Sequence, residues 1–277
     1  MPDCYDLHSH STVSDGSLSP TQLIQRAVQQ GVTTLALTDH DTVAGLAEAR
    51  ACANQLNLRL IHGIELSVTW QMRCFHIVGL NINSSYEPLV QLSEQLQQTR
   101  YERAFKIAEK LEKKRIVGVW DAVSKAAGEG MITRTHFADF LVAQGYVRSQ
   151  QEAFDYYLAK GKSAYVATTW VDLAQAIAWI NEAGGVAVLA HPLRYGLSAK
   201  WMRWLLGEFK TMGGLGIEVI TSRMNPDELR LITHYAQQFE LAGSVGSDFH
   251  NPNNQWVELG RLAQLPNNIK PIWELLN

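Results

Sequence analysis

The first thing this chain lacks is an excess of positive charge. Its 277 residues carry 24 Lys and Arg against 27 Asp and Glu, a formal net charge of −3, which argues against the broad basic face of a duplex-DNA binder. The balance still allows a short nucleotide held in one positive pocket. Cysteine is scarce: Cys4, Cys52 and Cys74 are odd in number and lack metal-ribbon spacing. That argues against a disulfide framework and leaves each read as a small buried apolar residue. No uninterrupted apolar run approaches the ~18 residues of a membrane span, so no membrane contact is expected. The opening Met1-Pro2-Asp3-Cys4 has neither the basic nor the apolar region of a signal peptide, so the expected location is the cytoplasm. What is present, 46% hydrophobic and 18% charged residues, suits a globular chain able to bury a sizeable core.

Histidine is where the sequence becomes specific. Six of the nine fall, with three carboxylates, into clusters that mostly sit just after short apolar runs. They are Asp6-Leu7-His8-Ser9-His10 with Asp15-Gly16, then Thr38-Asp39-His40-Asp41, Ile64-Glu65, Phe75-His76, Ala190-His191-Pro192 and Ser247-Asp248-Phe249-His250. His8 and His10, two apart on an extended segment, project to one side and offer a bidentate start for a metal. Imidazole and carboxylate without thiolate suit hard-to-borderline divalent ions.

The apolar runs predict strands at Cys4–His8, Thr33–Thr38, Leu58–Glu65, Cys74–Leu80, Val186–Ala190, Gly216–Ile220 and Leu241–Gly246. Amphipathic stretches at Pro20–Gln30, Val43–Leu56, Val171–Glu182 and Pro226–Phe239 predict helices between them, with Ser19-Pro20 and Asn225-Pro226 as starts and Gly31 and Gly184-Gly185 as stops. The repetition implies parallel strands covered by helices, an α/β chain forming a distorted (β/α)7-type barrel. Such barrels carry their chemistry at the carboxyl ends of the strands, where every cluster but His76 falls. From Ser84 to Tyr165 the rhythm breaks into helices, at Tyr86–Arg115, Trp120–Ala127, Thr135–Gln144 and Gln150–Lys160, separated by Gly128-Glu129-Gly130 and Gly145. The expected organisation is barrel over 1–83, inserted helical cap over 84–165 and barrel again over 166–277. The basic run Arg100–Arg115 reads as a solvated helix face rather than a nucleic-acid track.

The Asp6–Gly16 run, the Thr38–Asp41 segment and Gly246–His250 together resemble the motifs of the PHP (polymerase and histidinol phosphatase) metallophosphoesterases. The resemblance covers essentially the whole chain, insertion included. Within that family the chain is most similar to the 3′,5′-nucleoside bisphosphate phosphatases and the 5′→3′ exoribonucleases of ribonuclease AM type. It implies that His8, His10, Glu65 and Asp248 hold one metal, that Asp15, His40 and His250 hold a second, and that Glu65, His76 and His191 hold a third, Glu65 bridging. Some relatives carry His where this chain has Asp15, a difference that bears on metal preference. Manganese is the expected ion, with iron and zinc as alternatives. Three divalent ions with three carboxylates and a hydroxide leave roughly +2 for an anion, and metal coordination lowers a water's pKa to roughly 7.

By the same resemblance Arg134 and His136, at the start of an inserted helix, match a substrate-phosphate-binding stretch. Arg194 is placed to reach over the metals, with Lys162 and Arg223 as weaker phosphate neighbours. Asp248 and His191 are the candidate proton donors, although both are also claimed as ligands. Asp39 and Asp41 are expected to orient His40, and Asp39 could equally cap a helix. His62 and His234 read as structural, while Trp70 and Trp256, in loops near the site, are the candidates for stacking on a base. The expected activity is hydrolysis of nucleotide phosphate esters by metal-activated hydroxide. It is either removal of the 3′-phosphate from 3′,5′-nucleoside bisphosphates or 5′→3′ exonucleolysis of short 5′-phosphorylated RNA. Two alternatives stand beside it: a histidinol-phosphate-type phosphatase, which has little use for several arginines, and a non-catalytic metal-stabilised module.

Overall fold

In the computed structural model, which describes residues 3–128 and 130–276, short strands alternate with capped helices. The order is β1 (Tyr5–Asp6), α1 (Pro20–Gln29), β2 (Thr34–Leu37), α2 (Leu46–Leu56), β3 (Arg59–Trp70) and β4 (Arg73–Leu80). Helices α3 (Glu87–Glu112), α4 (Val119–Ala127), α5 (Arg134–Ala143) and α6 (Gln150–Ala153) follow, and α6 runs into a wide π-turn at Phe154–Leu158. The chain then continues through β5 (Val171–Asp172), α7 (Leu173–Glu182), β6 (Val186–Leu189), α8 (Ala199–Thr211), β7 (Gly216–Thr221), α9 (Pro226–Gln238) and β8 (Ala242–Gly246). Both proposed N-caps close capping boxes, Ser19 with Gln22 and Asn225 with Glu228. Glu129, part of the expected separator after α4, lies outside the described residues.

The strands are ordered β1-β2-β3-β4-β6-β7-β8, with β5 paired to β3. Leu7 N donates to Val245 O and Asp248 N to His8 O, each at 2.9 Å, so the last strand meets the first and the barrel nearly closes. Alternation along the strands sorts the core. Leu35 and Leu37 pack outward on Leu23, Ile24 and Ala27 of α1 and Ala49 and Ala53 of α2. Leu7, Ala36, Ile61, Val78 and Val188 form a separate cluster without α-helical members, which fills the barrel.

The all-parallel expectation is corrected at β4, which runs antiparallel to both β3 and β6. Only Gln71 and Met72 separate β3 from β4, both at positive φ (48° and 57°), and a two-residue connection of this kind can only make a hairpin. Two elements were not anticipated: α8, and β5 at the start of the predicted Val171–Glu182 helix. No described helix is long and apolar enough to cross a membrane.

Helix α3, about 39 Å long, joins two cores. Its Leu89, Leu92 and Leu96 pack with the barrel, while Ala104, Ile107, Ala108 and Leu111 join Val123, Phe137, Leu141 and Leu158 in a second cluster. The basic run divides accordingly. Lys106, Lys110, Lys113, Lys114 and Arg115 are exposed as expected. Arg100 is instead buried, donating to Asp41 Oδ2 at 2.6 Å and to Ser67 Oγ at 2.8 Å, because it lies where the helix crosses the barrel. The helical segment also touches the first histidine loop: Met131 N donates to Val13 O at 3.2 Å. A Cβ on the preceding Gly130 would come within 2.1 Å of Thr12 O, so only glycine permits that approach.

Candidate metal centre

All nine histidine and carboxylate positions singled out from the motifs converge at one end of the barrel. His8 and His10 leave β1, His40 bridges Glu65 just beyond β2, His191 follows β6, and Asp248 and His250 follow β8. The exception, His76, is explained by the reversed strand: it pairs with Ser67, two residues beyond Glu65, and so lies at the same end as the others. Backbone conformation is held against preference here, with Asp41, His191 and Asp248 all at positive φ (53°, 30° and 56°).

Glu65 is the hub. Its Oε1 lies 2.9 Å from His76 Nδ1, 3.1 Å from His191 Nε2 and 3.4 Å from His8 Nε2. Its Oε2 lies 2.7 Å from His40 Nδ1 and 3.4 Å from His10 Nε2. Asp248 Oδ1 is 3.3 Å from His10 Nε2 and 3.5 Å from His8 Nε2, and Asp15 Oδ1 is 3.2 Å from His250 Nε2. Three overlapping donor sets, each within 4.8 Å, result: His8–His10–Glu65, His40–Glu65–His76 and His10–Asp15–His40–His250. Asp15 Oδ1, His40 Nδ1, Glu65 Oε2 and His191 Nδ1 are buried without a partner in hydrogen-bond geometry, the close His40–Glu65 approach being an ion-pair contact without that alignment. Orphaned polar atoms cost roughly 1–3 kcal/mol each, and a convergent set of them fits divalent cations.

The electrostatics suit that chemistry. Burial disfavours charge on Asp15, Glu65 and Asp248, yet the surrounding imidazoles hold all three well below the usual carboxylate range, so they stay ionised. Burial, with His250 alongside, pushes His10 down to about 3, leaving its ring neutral and able to coordinate. Against burial, Glu65 raises His76, and Asp15 with Asp248 raises His250, each to about 10.

Sequence reasoning missed the groups that hold this cluster in place. Glu218, on β7 and 2% exposed, has Oε1 2.5 Å from His8 Nδ1, and its Oε2 accepts from His191 N at 2.5 Å. It is a carboxylate inside a buried strand, and its only signal was that it interrupts an apolar run. Tyr195 Oη accepts from His76 N at 2.9 Å. The expectation that Asp39 and Asp41 orient His40 is corrected. Asp39 accepts from Ser11 N, Ser11 Oγ and Ser14 Oγ and so folds the first loop, while Asp41 accepts from Ser67 N and pairs with Arg100.

Two clefts flank the cluster, and Asp15 and Thr135 line both. The smaller, about 470 Å³, is lined by His40, His76, Arg100, Arg103, Arg134 and Lys160, with Asp15 its only carboxylate among the described residues. Cys74 also lines it and is exposed, against the expectation of burial, because it stands next to the hairpin. The larger, about 1150 Å³, is lined by His136, His191, Arg194, Arg223, Asp248 and His250. The candidate phosphate contacts are therefore divided, Arg134 on one side and His136 and Arg194 on the other. Arg194 pairs with Asp248. His136 Nδ1 accepts from Thr133 N at 3.1 Å, closing the cap of α5. Lys162 lines neither cleft. Trp70 ends β3 rather than lying in a loop and is buried against Phe75, Trp201 and Trp204, whereas Trp256 is 71% exposed.

Comparison with known proteins agrees with this geometry. The PHP domain model matches residues 6–185. A 5′-3′ exoribonuclease from Haemophilus influenzae is 45% identical over 274 residues, 99% of each chain. A 3′,5′-nucleoside bisphosphate phosphatase from Chromobacterium violaceum is 39% identical over 98% of this chain and 95% of its own. An amidohydrolase structure from Chromobacterium violaceum, solved with bound sulfate and no metal, superimposes with TM-score 0.94 at 39% identity, covering 99% and 95% of the two chains. A structure described as a metal-dependent phosphoesterase from Bifidobacterium adolescentis gives TM-score 0.82 at 26% identity, covering 100% and 96%. The fold and the site define a metal-dependent phosphoesterase. The chain belongs to the PHP domain family.

Proposed function

We propose that this enzyme binds three divalent ions, manganese foremost, and hydrolyses the phosphate ester at the 3′-oxygen of a 5′-phosphorylated nucleotide. The observation that carries the reading is the Glu65 hub, within 3.4 Å of five imidazoles, with ionised carboxylates beyond it. His8, His10, Glu65 and Asp248 would hold one ion, Asp15, His40 and His250 a second, and Glu65, His76 and His191 a third. When bound, such ions supply Lewis acidity that brings a water's pKa towards neutrality and stabilises charge at phosphorus.

The chain's own residues position the substrate. Arg134 and Arg103 have no carboxylate partner, the described arginine–carboxylate pairs being those of Arg26, Arg100, Arg194 and Arg230. Burial, with Arg134 alongside, lowers the pKa of Arg103, the mark of a cation short of an anion. Trp170 lies under Arg103 and Arg100, at 5.4 and 5.0 Å, and Phe154 under Arg134 at 5.6 Å, fixing their planes. The smaller cleft thus anchors the 5′-phosphate, and residues 84–165 act as a cap that completes it. Arg194 and His136 face the scissile phosphate from the other side. Asp248, held ionised well below the usual carboxylate range, has no proton to give and serves as a ligand and as the partner of Arg194. His191 directs Nε2 at Glu65, which suits a ligand, so the leaving oxygen takes its proton from solvent.

Both nucleotide reactions break the same P–O3′ bond, and they differ only in whether the chain continues beyond phosphorus. A histidinol-phosphate specificity is disfavoured by the paired-arginine cleft, and a non-catalytic module by the complete donor set. The test is mass-spectrometric product identification after incubating manganese-loaded protein with adenosine 3′,5′-bisphosphate, a 5′-phosphorylated tetraribonucleotide or histidinol phosphate, with and without chelator. Chelator-sensitive AMP from the bisphosphate, or 5′-mononucleotides from the tetramer, is expected; turnover of histidinol phosphate alone, or of nothing, would overturn the reading.

A further inference from the structure

We propose that the larger cleft is a subsite for single-stranded RNA on the 3′ side of the scissile phosphate, with Trp256 and Arg223 as its base-stacking platform. The inference rests on the phosphoesterase reading above and names its substrate class. Beyond the scissile phosphorus a bisphosphate has nothing to place, so a large built space there would be idle for a mononucleotide. At about 1150 Å³, the cleft exceeds the roughly 300–1,000 Å³ of ordinary small-molecule sites. It begins at Asp15, His191, Asp248 and His250 and runs out past Ser222, Arg223, Asn251 and Asn254.

Beside the lining residue Arg223, just outside the lining itself, Trp256 is 71% exposed, the most of any described aromatic side chain. The Arg223 guanidinium lies over its ring at 5.7 Å. Arg223 is one of the arginines without a carboxylate partner and is held at φ +66°, a conformation costly for a non-glycine residue. An exposed indole with a stacked guanidinium receives any base by its π-face, whatever the sequence. The wall is not a basic track: Asp139 and Glu228 line it too, so stacking rather than phosphate neutralisation must carry the hold on the chain. The asparagines offer hydrogen bonds to base edges and ribose hydroxyls without adding charge. In the reaction, water supplies the oxygen that joins phosphorus. The P–O3′ bond breaks, the 5′-terminal nucleotide leaves with its new 3′-hydroxyl, and the shortened chain, now 5′-phosphorylated, stays in the larger cleft.

The test compares kcat/KM for a 5′-phosphorylated tetraribonucleotide with that for adenosine 3′,5′-bisphosphate in the wild type, Trp256→Ala, Trp256→Phe and Arg223→Ala. Stacking is worth ~1–3 kcal/mol per base, so the tetramer-to-bisphosphate ratio should fall roughly 5- to 150-fold in Trp256→Ala, mainly through KM, and recover in Trp256→Phe. Matching melting temperatures show that the variants fold, as the exposure of Trp256 predicts. An unmoved ratio, or wild-type enzyme that cleaves the bisphosphate but not the tetramer, overturns the subsite and leaves the phosphoesterase reading standing. Failure of the wild type on both substrates overturns the two together.

Discussion

Replacing Glu218 with Gln should weaken metal binding without touching any proposed ligand. The carboxylate serves two donors at once, the His8 ring at 2.5 Å and the His191 backbone N–H at 2.5 Å. By accepting at Nδ1 it fixes the His8 tautomer, so that Nε2 offers its lone pair to the cluster. An amide of the same shape has only one acceptor oxygen. Its NH2 group must then face either the His8 N–H or the His191 N–H, leaving a buried donor unpaired at roughly 1–3 kcal/mol. Loss of an outer carboxylate partner typically lowers metal affinity 10- to 100-fold, or about 1.4–2.8 kcal/mol. The assay is titration with manganese in a competing chelator, read by elemental analysis of the protein fraction, alongside thermal melting of the metal-free protein. Affinity should fall within that range and the melting temperature by a few degrees. Wild-type affinity in the variant would refute the role given to Glu218.

Arg100→Ala should cost about 3–5 kcal/mol, because it strands Asp41 as a buried charge; a loss under 1 kcal/mol in urea titration would show the pair to be dispensable. Metal binding at pH 7 should release protons, because His76 and His250 titrate at about 10 in the metal-free site and must give up a proton to coordinate. Calorimetry in buffers of different ionisation enthalpy would detect this, and buffer-independent heats would contradict it. Since these two pKa values lie above the ordinary 6.5, their contribution to metal-free stability is complete below about pH 6.5 and lost as pH rises through about 10. Melting curves across that range should show the decline. His40→Ala should abolish turnover with the fold retained by circular dichroism, and full activity would remove the second metal position. Arg134→Ala should raise KM for 5′-phosphorylated substrates far more than for their dephosphorylated counterparts; equal effects would take Arg134 out of the anchor.

The barrel and its donor set were legible because local signals agreed: apolar runs of strand length, N-caps at Ser19 and Asn225, and a ligand at or just after most of the strands read from the sequence. His76 looked out of place only because reversal of β4 depends on two turn residues, Gln71 and Met72, that carry neither Gly nor Asn. Helix α8 was readable in principle, since Met202, Leu205, Leu206 and Phe209 keep helical spacing. Strand β5 was not, because two residues joined to β3 through backbone bonds leave no side-chain pattern. Glu218, Arg100 and Arg103 escaped for a different reason. Each acquires its role from partners far away in sequence, as Arg100 does from Asp41, 59 residues earlier, and no local spacing encodes such a meeting. The division of Arg134 from His136 is likewise a property of which face of α5 looks into which cleft.

The most direct test of the central claim is an anomalous-difference map from crystals of manganese-loaded enzyme, collected on both sides of the manganese edge. Three peaks among His8, His10, Asp15, His40, Glu65, His76, His191, Asp248 and His250, with Glu65 between two of them, are the predicted result. Peaks elsewhere, or none at Glu65 under conditions that support turnover, would contradict it.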